Sequence, residues 1–290
     1  MSFSLCFKRW VLSIAGRFSD NGRLSFMISY LHNRGRLPNL NNPKDISEIW
    51  IKRVLDGKVN ELATLADKFE VRKYVKERGL EDILTPLLGV YESVDEIAFQ
   101  DLPQCFALKA TFGAGMNVIC TDKSSLDIDA VKEKASNWLK PRTYSQAERH
   151  YNLIPKRLIC EGFINDGSGG FPIDYKFMCI NGEVACILAC FGREKGHADY
   201  LPYSLQWEPQ CDWYRDVPDN IQHIPKPSNL DKMVEIATTL AKGIDLVRVD
   251  LYSDGRQVWF GEMTLTPSGC IFHRWSRRAL DEMGQMYRNC

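Results

Sequence analysis

The chain has 290 residues, of which 44% are hydrophobic and 26% charged, with 37 basic and 37 acidic side chains and a formal net charge of +0. That is the composition of an ordinary globular protein, long enough to bury a substantial core as one large domain or a few smaller units. The balanced charge argues against a general nucleic-acid binder, which carries a strong basic excess, and no stretch reaches the roughly 18 to 20 apolar residues that span a bilayer.

Residues 1–60 read as a helical and irregular segment. MSFSLCFKRWVLSIAGRF is mildly basic and apolar but lacks the long apolar run and small-residue cleavage site of a signal peptide. It is expected to form a helix packed on the body or on a partner, with transient contact to a membrane surface as the second reading. GRLPNLNNPKDISEIW is a Pro- and Asn-rich loop ending at a helix start.

A second unit is expected over 61–158. ELATLADKFEVRKYVKERG has helical apolar spacing and is closed by Gly79. ILTPLLGVYES and CFALKA read as strands, with SVDEIAFQDLP as a short helix between them. SSLDIDAVKEKASNWLK reads as a helix capped by its serines, and RTYSQAERHYNLIP as a polar connector.

The third unit, 159–290, opens in the strand KRLICEGFI. PIDYKFMCI and EVACILAC follow, joined by Asn181-Gly182, a hairpin dipeptide. FGREKGHADYLPYSLQWEPQCDWYRDVPDN reads as a long loop and NLDKMVEIATTLAKGI as a helix. VRVDLYSDGRQVWFGEMTLTPSG then gives two strands joined at Ser-Asp-Gly, and a charged tail ends the chain. Hairpin-joined strands with interspersed helices predict an α+β fold. Ten cysteines include no C-x-x-C pair, which argues against a zinc centre. Several lie in apolar runs, as expected of buried, reduced thiols in a cytosolic protein.

Three stretches can carry chemistry. In FALKATFGAGMNVIC a strand with Lys109 leads to a loop holding Gly113 and Gly115, and Asn117 opens the next strand. Such a loop either cradles phosphate oxygens on its backbone N–H groups or is a flexible hairpin turn. It lacks the ending of a P-loop and the third glycine of the dinucleotide fingerprint. Glu161 follows an apolar strand. Asp174, Lys176 and Met178 share one strand face by period two, which by itself suits a solvated face with an ion pair.

The hairpin from Val247 to Gly269 is the sharpest signal. A three-residue loop, Ser253-Asp254-Gly255, pairs Tyr252 with Arg256 and Asp250 with Val258. Arg248, Asp250, Glu262 and Thr264 then share one face, while Val247, Val249, Leu251, Trp259 and Met263 point to a core. Two carboxylates and a hydroxyl are hard oxygen ligands of the kind magnesium takes beside substrate phosphates. This register separates Asp250 from Glu262 by four residues, about 13 Å, a gap for two ions rather than one. Asp250→Asn and Glu262→Gln are expected to abolish turnover while leaving the fold largely intact.

Lys68 in LADKFEVRKYV, Lys109 with TFGAGMN, Glu161 in ICEGFI, then DYKF, RVDLY and FGEMT occur in the order found in ATP-grasp enzymes. Together with GRLPNLNNPKDISE, the set resembles the TupA-like branch, associated with teichuronopeptide and capsular polysaccharide biosynthesis, over most of residues 35 to 285. The resemblance implies two α+β subdomains gripping ATP. Lys68, Lys109 and Lys176 would hold the nucleotide, with Thr111 to Asn117 as a lid over its phosphates. Glu161 and the backbone of Gly162, Phe163 and Ile164 would meet adenine, and Asp174 the ribose. Arg248 would steady the γ-phosphate, while Asp250, Glu262 and Thr264 would hold Mg2+. Thr264 stands where many ATP-grasp enzymes carry Asn.

The implied chemistry is carboxylate–amine ligation through an acyl phosphate, on a small-molecule or sugar-linked carboxylate such as a uronic acid or amino acid. Arg193, His197 and the aromatics from Tyr200 to Tyr214 would form the acceptor surface, unless those aromatics merely pack their loop down. Two other outcomes fit the same fold: a phosphotransferase acting on a sugar or hydroxyl, and a non-catalytic nucleotide-binding assembly protein.

Overall fold

The structure is a computed structural model that describes residues 22–167, 170–193, 198–215, 217 and 224–289. The expected N-terminal helix and His197 lie outside these residues. Helix α1 spans Arg23–Arg34. The Pro/Asn-rich loop ends where expected: Asp45 accepts from the Glu48 N–H and Glu48 returns a bond to Asp45, a capping box that starts helix α2 (Ile46–Leu55). A single turn, α3 (Lys58–Glu61), follows.

The continuous helix expected next is broken. A 3-10 turn, Ala63–Ala66, stops at Asp67, and α4 (Val71–Glu77) begins beyond it. The Asp67 carboxylate accepts from the Phe69 and Glu70 N–H groups, so it starts a new helix instead of extending the old one. Lys68 sits in that break, its N–H bonded to the Thr111 carbonyl at 2.8 Å.

Strands β1 (Leu87–Tyr91), β2 (Phe106–Ala110), β3 (Asn117–Cys120) and β4 (Leu158–Gly162) form one antiparallel sheet in the order β1-β4-β2-β3. SVDEIAFQDLP forms two 3-10 turns instead of a helix. Helix α5 (Ile128–Leu139) is capped by Asp127, which accepts from the Ala130 N–H at 2.9 Å. The serines expected as caps lie in the preceding 3-10 turn, Lys123–Ser125. The polar connector carries a 3-10 helix, Gln146–Leu153.

Strands β5 (Asp174–Ile180), β6 (Glu183–Phe191), β7 (Asp199–Tyr203), β8 (Leu246–Ser253) and β9 (Val258–Thr264) build a second antiparallel sheet, β7-β6-β5-β8-β9. The Asn181-Gly182 hairpin forms as read, with φ of 51° and 85°. Strand β7 lies inside the expected loop; its Pro202 is tolerated because β7 is an edge. Helix α6 (Leu230–Ala241) covers one face of this sheet through Met233, Ile236 and Leu240 against Phe177, Val247 and Val249. The charged tail forms helix α7 (Arg277–Arg288), which with α2 covers the other face over Met178, Ile180 and Leu246.

The two sheets are tied behind the cleft between them. Tyr74 on α4 donates to the Leu240 carbonyl at 2.8 Å, and Arg78 donates to the carbonyls of Thr239 and Lys242. These satisfy orphan carbonyls at the α6 C-terminus, where a cation also suits the helix dipole. The described cysteines are free, and Cys120, Cys160, Cys179, Cys186, Cys190 and Cys270 are buried. Among the described residues no helix is long and apolar enough to cross a membrane.

Candidate active site

Four polar side chains of the β8–β9 hairpin share one face, as the alternation requires, but the register differs from the sequence reading. Arg248 pairs with Thr264 and Asp250 with Glu262, then the pairing shifts, so that Leu251 faces Phe260 and Tyr252 faces Trp259. The connection is longer than three residues: Ser253 pairs with Val258, and Asp254 holds the turn by accepting from the Arg256 and Gln257 N–H groups. Gly261 is the extra residue of the bulge. A Cβ there would lie 2.9 Å from the Asp250 carbonyl oxygen and 2.9 Å from the Tyr252 ring. The expected gap between the carboxylates therefore closes, and they stand directly opposite. The same bulge corrects Trp259: Phe260 and Val258 enter the core while Trp259 sits across from Tyr252.

Asp250 is the centre of a buried charge network. Its Oδ1 and Oδ2 accept from Arg248 Nε and Nη2 at 2.6 Å each, and Oδ2 also accepts from Lys176 Nζ at 2.7 Å. Lys176 reaches Asp174 Oδ2 at 2.5 Å. Arg248 Nη2 donates to Glu262 at 3.3 Å and Thr264 at 3.0 Å, and Thr264 donates to Glu262 Oε1 at 3.0 Å. Burial opposes ionisation of Asp250, yet Arg248 and Lys176 outweigh it and hold its pKa below the usual value. Burial likewise opposes charge on Lys176 and Arg248, and their carboxylate partners raise both pKa values instead. Asp174 goes the other way: burial raises its pKa against the pull of Lys176. Its Oδ1 is buried without a hydrogen-bond partner.

The first sheet forms the opposite wall. Lys68 Nζ donates to the Gly113 carbonyl at 3.0 Å and lies 3.9 Å from Glu262. Burial lowers its pKa, with Glu262 opposing. Lys109 Nζ bonds Glu161 Oε2 at 2.9 Å, while Arg72 and Thr85 donate to Oε1 at 2.8 and 2.9 Å. Burial would raise the Glu161 pKa, but Lys109, with Thr85 and Arg72 behind it, holds it low.

Two cavities meet between the walls. One, about 500 Å³, has an apolar lining that includes Val118, Ile119, Phe163, Ile164, Phe171 and Pro172. The other, about 210 Å³, is polar and includes Lys68, Gly115, Asp174, Asp250, Gly261 and Glu262. Lys109, Asn117, Arg193 and Tyr252 line both.

The structure thus gathers Lys68, Lys109, Gly115, Asn117, Asp174, Asp250 and Glu262 around the polar cavity, and Phe163 and Ile164 around the apolar one. Glu161 lines neither: all its partners are spent on holding Lys109, Arg72 and Thr85. Lys176 and Arg248 also line neither, because their donors are committed to Asp250. Arg193, expected at the acceptor surface, lines both cavities, its guanidinium donating to the Pro172 carbonyl and lying 5.6 Å from the Phe171 ring. Gly113 forms the loop that receives Lys68 and does not line the cavities. Sequence reasoning missed Tyr252, Arg72, Phe171 and Gly261. Only Tyr252 had a usable signal, since it shares the period-two face of Arg248 and Asp250.

For a divalent cation the donors are chemically suitable: the opposed carboxylates Asp250 and Glu262, with the unpartnered Asp174 Oδ1 on the same cavity. The hydroxyl of Thr264 is committed to Glu262 and Arg248. Among the described residues there is no preassembled cluster of three or more such ligands, because Lys176 and Arg248 occupy Asp250.

A family model described as TupA-like ATPgrasp matches residues 48–287. The chain belongs to the TupA-like ATP-grasp family. Its α+β architecture, with two antiparallel sheets facing a cleft, is the ATP-grasp fold. Similar solved structures include the D-alanine–D-alanine ligase of Bacillus anthracis, at 14% identity over 80% of this chain and 71% of that one, with a TM-score of 0.49. An ATP-grasp RimK domain protein of Sphaerobacter thermophilus is 14% identical over 78% of this chain and 66% of its own, with a TM-score of 0.43. The ATP-grasp ligase PsnB, complexed with a precursor variant, Mg and ADP, is 10% identical over 83% and 65%, with a TM-score of 0.44. A comparison with curated proteins finds no match.

Proposed function

We propose that this TupA-like ATP-grasp protein is an ATP- and Mg2+-dependent carboxylate–amine ligase. The observation that carries the proposal is the pair of joined cavities: an apolar one of about 500 Å³ opening onto a polar one of about 210 Å³ with Lys68 and Lys109 on one wall and the carboxylates of Asp174, Asp250 and Glu262 on the other. The apolar volume suits a purine between Phe163, Ile164, Phe171 and Val118. The polar volume suits a triphosphate tail, with Lys68, Lys109 and Arg193 as its counter-charges. Asp250 and Glu262 would hold Mg2+, which would supply neutralisation of charge on the phosphates.

The chain's own groups perform the remaining tasks. Glu161 aims Lys109, and Arg248 with Thr264 orients Asp250 and Glu262. The segment Thr111 to Asn117 closes over the phosphates and keeps water from the acyl phosphate formed when the substrate carboxylate takes the γ-phosphoryl group. The amine then displaces phosphate to give the amide. The carboxylate proposed, by analogy alone, is a uronic acid or amino acid in surface polysaccharide biosynthesis, and the free thiols suit the reducing cytoplasm.

A screen for ADP release with Mg2+ and pairs of carboxylates and amines tests the reading. Release that requires both partners is the expected result. A stable phosphorylated product without amine would convert the reading to a phosphotransferase. Nucleotide binding without turnover across the panel would leave a non-catalytic binding protein.

A further inference from the structure

The cleft face of the second sheet continues past the metal-binding acids. Asp174 pairs with Cys190 and Cys190 with Tyr200, so Tyr200 stands on that face two strands, or about 10 Å, from Asp174. Its ring lies 6.3 Å from that of Tyr214. The guanidinium of Arg274 sits beside both, 5.1 Å from the Tyr200 centroid and 5.0 Å from the Tyr214 centroid. Cation–π contact holds a guanidinium without neutralising it and leaves its in-plane N–H groups free to bind. Among the described residues no carboxylate is paired with Arg274.

The segment carrying Arg274 is fixed. Arg34 donates to the carbonyls of Ile271, Phe272 and Trp275, and the Arg274 carbonyl accepts from the Arg215 N–H at 2.6 Å. The cluster stands on the same sheet face as Asp174. Burial raises the Tyr214 pKa to about 12, while Arg274 and Arg248 both pull it down, and Tyr200 lies within the fields of Lys176 and Asp174. A molecule reaching from Asp174 to Arg274 would therefore lie across Tyr200.

We propose that Arg274, braced by Tyr200 and Tyr214, is the specificity-determining anchor for the second substrate, and that this substrate bears an anionic group, carboxylate or phosphate, besides its reacting group. A bidentate guanidinium contact suits either anion. The inference rests on the ligase reading above.

The test titrates the full chain, loaded with AMPPNP and Mg2+, by calorimetry with three anions: L-glutamate, D-galacturonate and inorganic phosphate. L-glutamine and D-galactose serve as neutral counterparts. At least one anion is expected to bind where its neutral counterpart does not, and the responding anion separates carboxylate from phosphate recognition. Arg274→Gln should weaken that binding by about tenfold or more, Arg274→Lys by less, and AMPPNP affinity should stay within about twofold of wild type in both. Equal binding of charged and neutral probes, unchanged affinity in Arg274→Gln, or no binding by any anion overturns the inference. Failure of the ligase reading looks different: anions still bind through Arg274, yet no amine-dependent ADP release is found.

Discussion

Asp250→Asn should damage the fold, whereas Glu262→Gln should not, although both remove a carboxylate from the same face. The Asp250 side chain is 2% exposed and holds two buried cations at 2.6 to 2.7 Å. Neutralising it leaves Arg248 and Lys176 with Asp174 and Glu262 as their remaining acids. Breaking a buried pair costs about 3–5 kcal/mol because the surviving charge is left uncompensated. Glu262 is 37% exposed on its side chain and touches Arg248 at 3.3 Å and Lys68 at 3.9 Å. Discounted for solvent, those contacts are worth below about 1 kcal/mol. Urea denaturation should show a midpoint drop on the order of 1 M for Asp250→Asn and little change for Glu262→Gln. Calorimetric titration with AMPPNP should show that Glu262→Gln loses the gain in affinity that Mg2+ gives the wild type. An Asp250→Asn protein within about 1 kcal/mol of wild type would refute the assignment of Asp250 as the organiser of this network. The expectation drawn from sequence, that both variants keep the fold, is thus retained as a prediction for Glu262→Gln and replaced for Asp250→Asn.

Gly261→Ala places a methyl group 2.9 Å from the Asp250 carbonyl oxygen; the strain is expected to cost about 1–3 kcal/mol and to weaken Mg2+-dependent nucleotide binding, and unchanged binding would show that the bulge does not set the carboxylate spacing. His150 is 1% exposed, and burial lowers its pKa from 6.5 to about 4. The unfolded chain therefore takes up a proton that the folded one excludes, so stability should fall by about 3 kcal/mol as pH drops from 6.5 to about 4. A His150→Phe variant should lose that slope, which thermal melts across the range would reveal. Glu161 has a depressed pKa, so its contribution is present above the ordinary carboxylate value and disappears as pH falls through its lower folded value; acid titration of Glu161→Gln should lack this component, and identical acid profiles would contradict it.

Much of the architecture was legible because its signals are local. The Asn181-Gly182 turn, the stop at Gly79 and the helix start at the end of the Pro/Asn-rich loop each rest on a few neighbouring residues, and each formed as read. The shared face of Arg248, Asp250, Glu262 and Thr264 was legible from alternation alone. The register was not, because two compensating features, a longer turn and the bulge at Gly261, preserve the parity of the acids while moving their partners. The split at Asp67 was hidden by apolar spacing that runs through it. Roles that depend on distant partners were out of reach: nothing near Glu161 in the chain shows that Lys109, Arg72 and Thr85 converge on it. Strand β7 was masked by its proline and by the polar residues around it.

The bonds from Tyr74 and Arg78 to the end of α6 bear on how the molecule can open. They tie the two halves at the end of α6, while Ala63–Ala66 packs against β9, Gln257 donates to the Asp82 carbonyl, and Lys68 lies 3.9 Å from Glu262. Parting of the halves is then expected to break the 3.9 Å contact of Lys68 with Glu262 before the 2.8 Å bond from Tyr74.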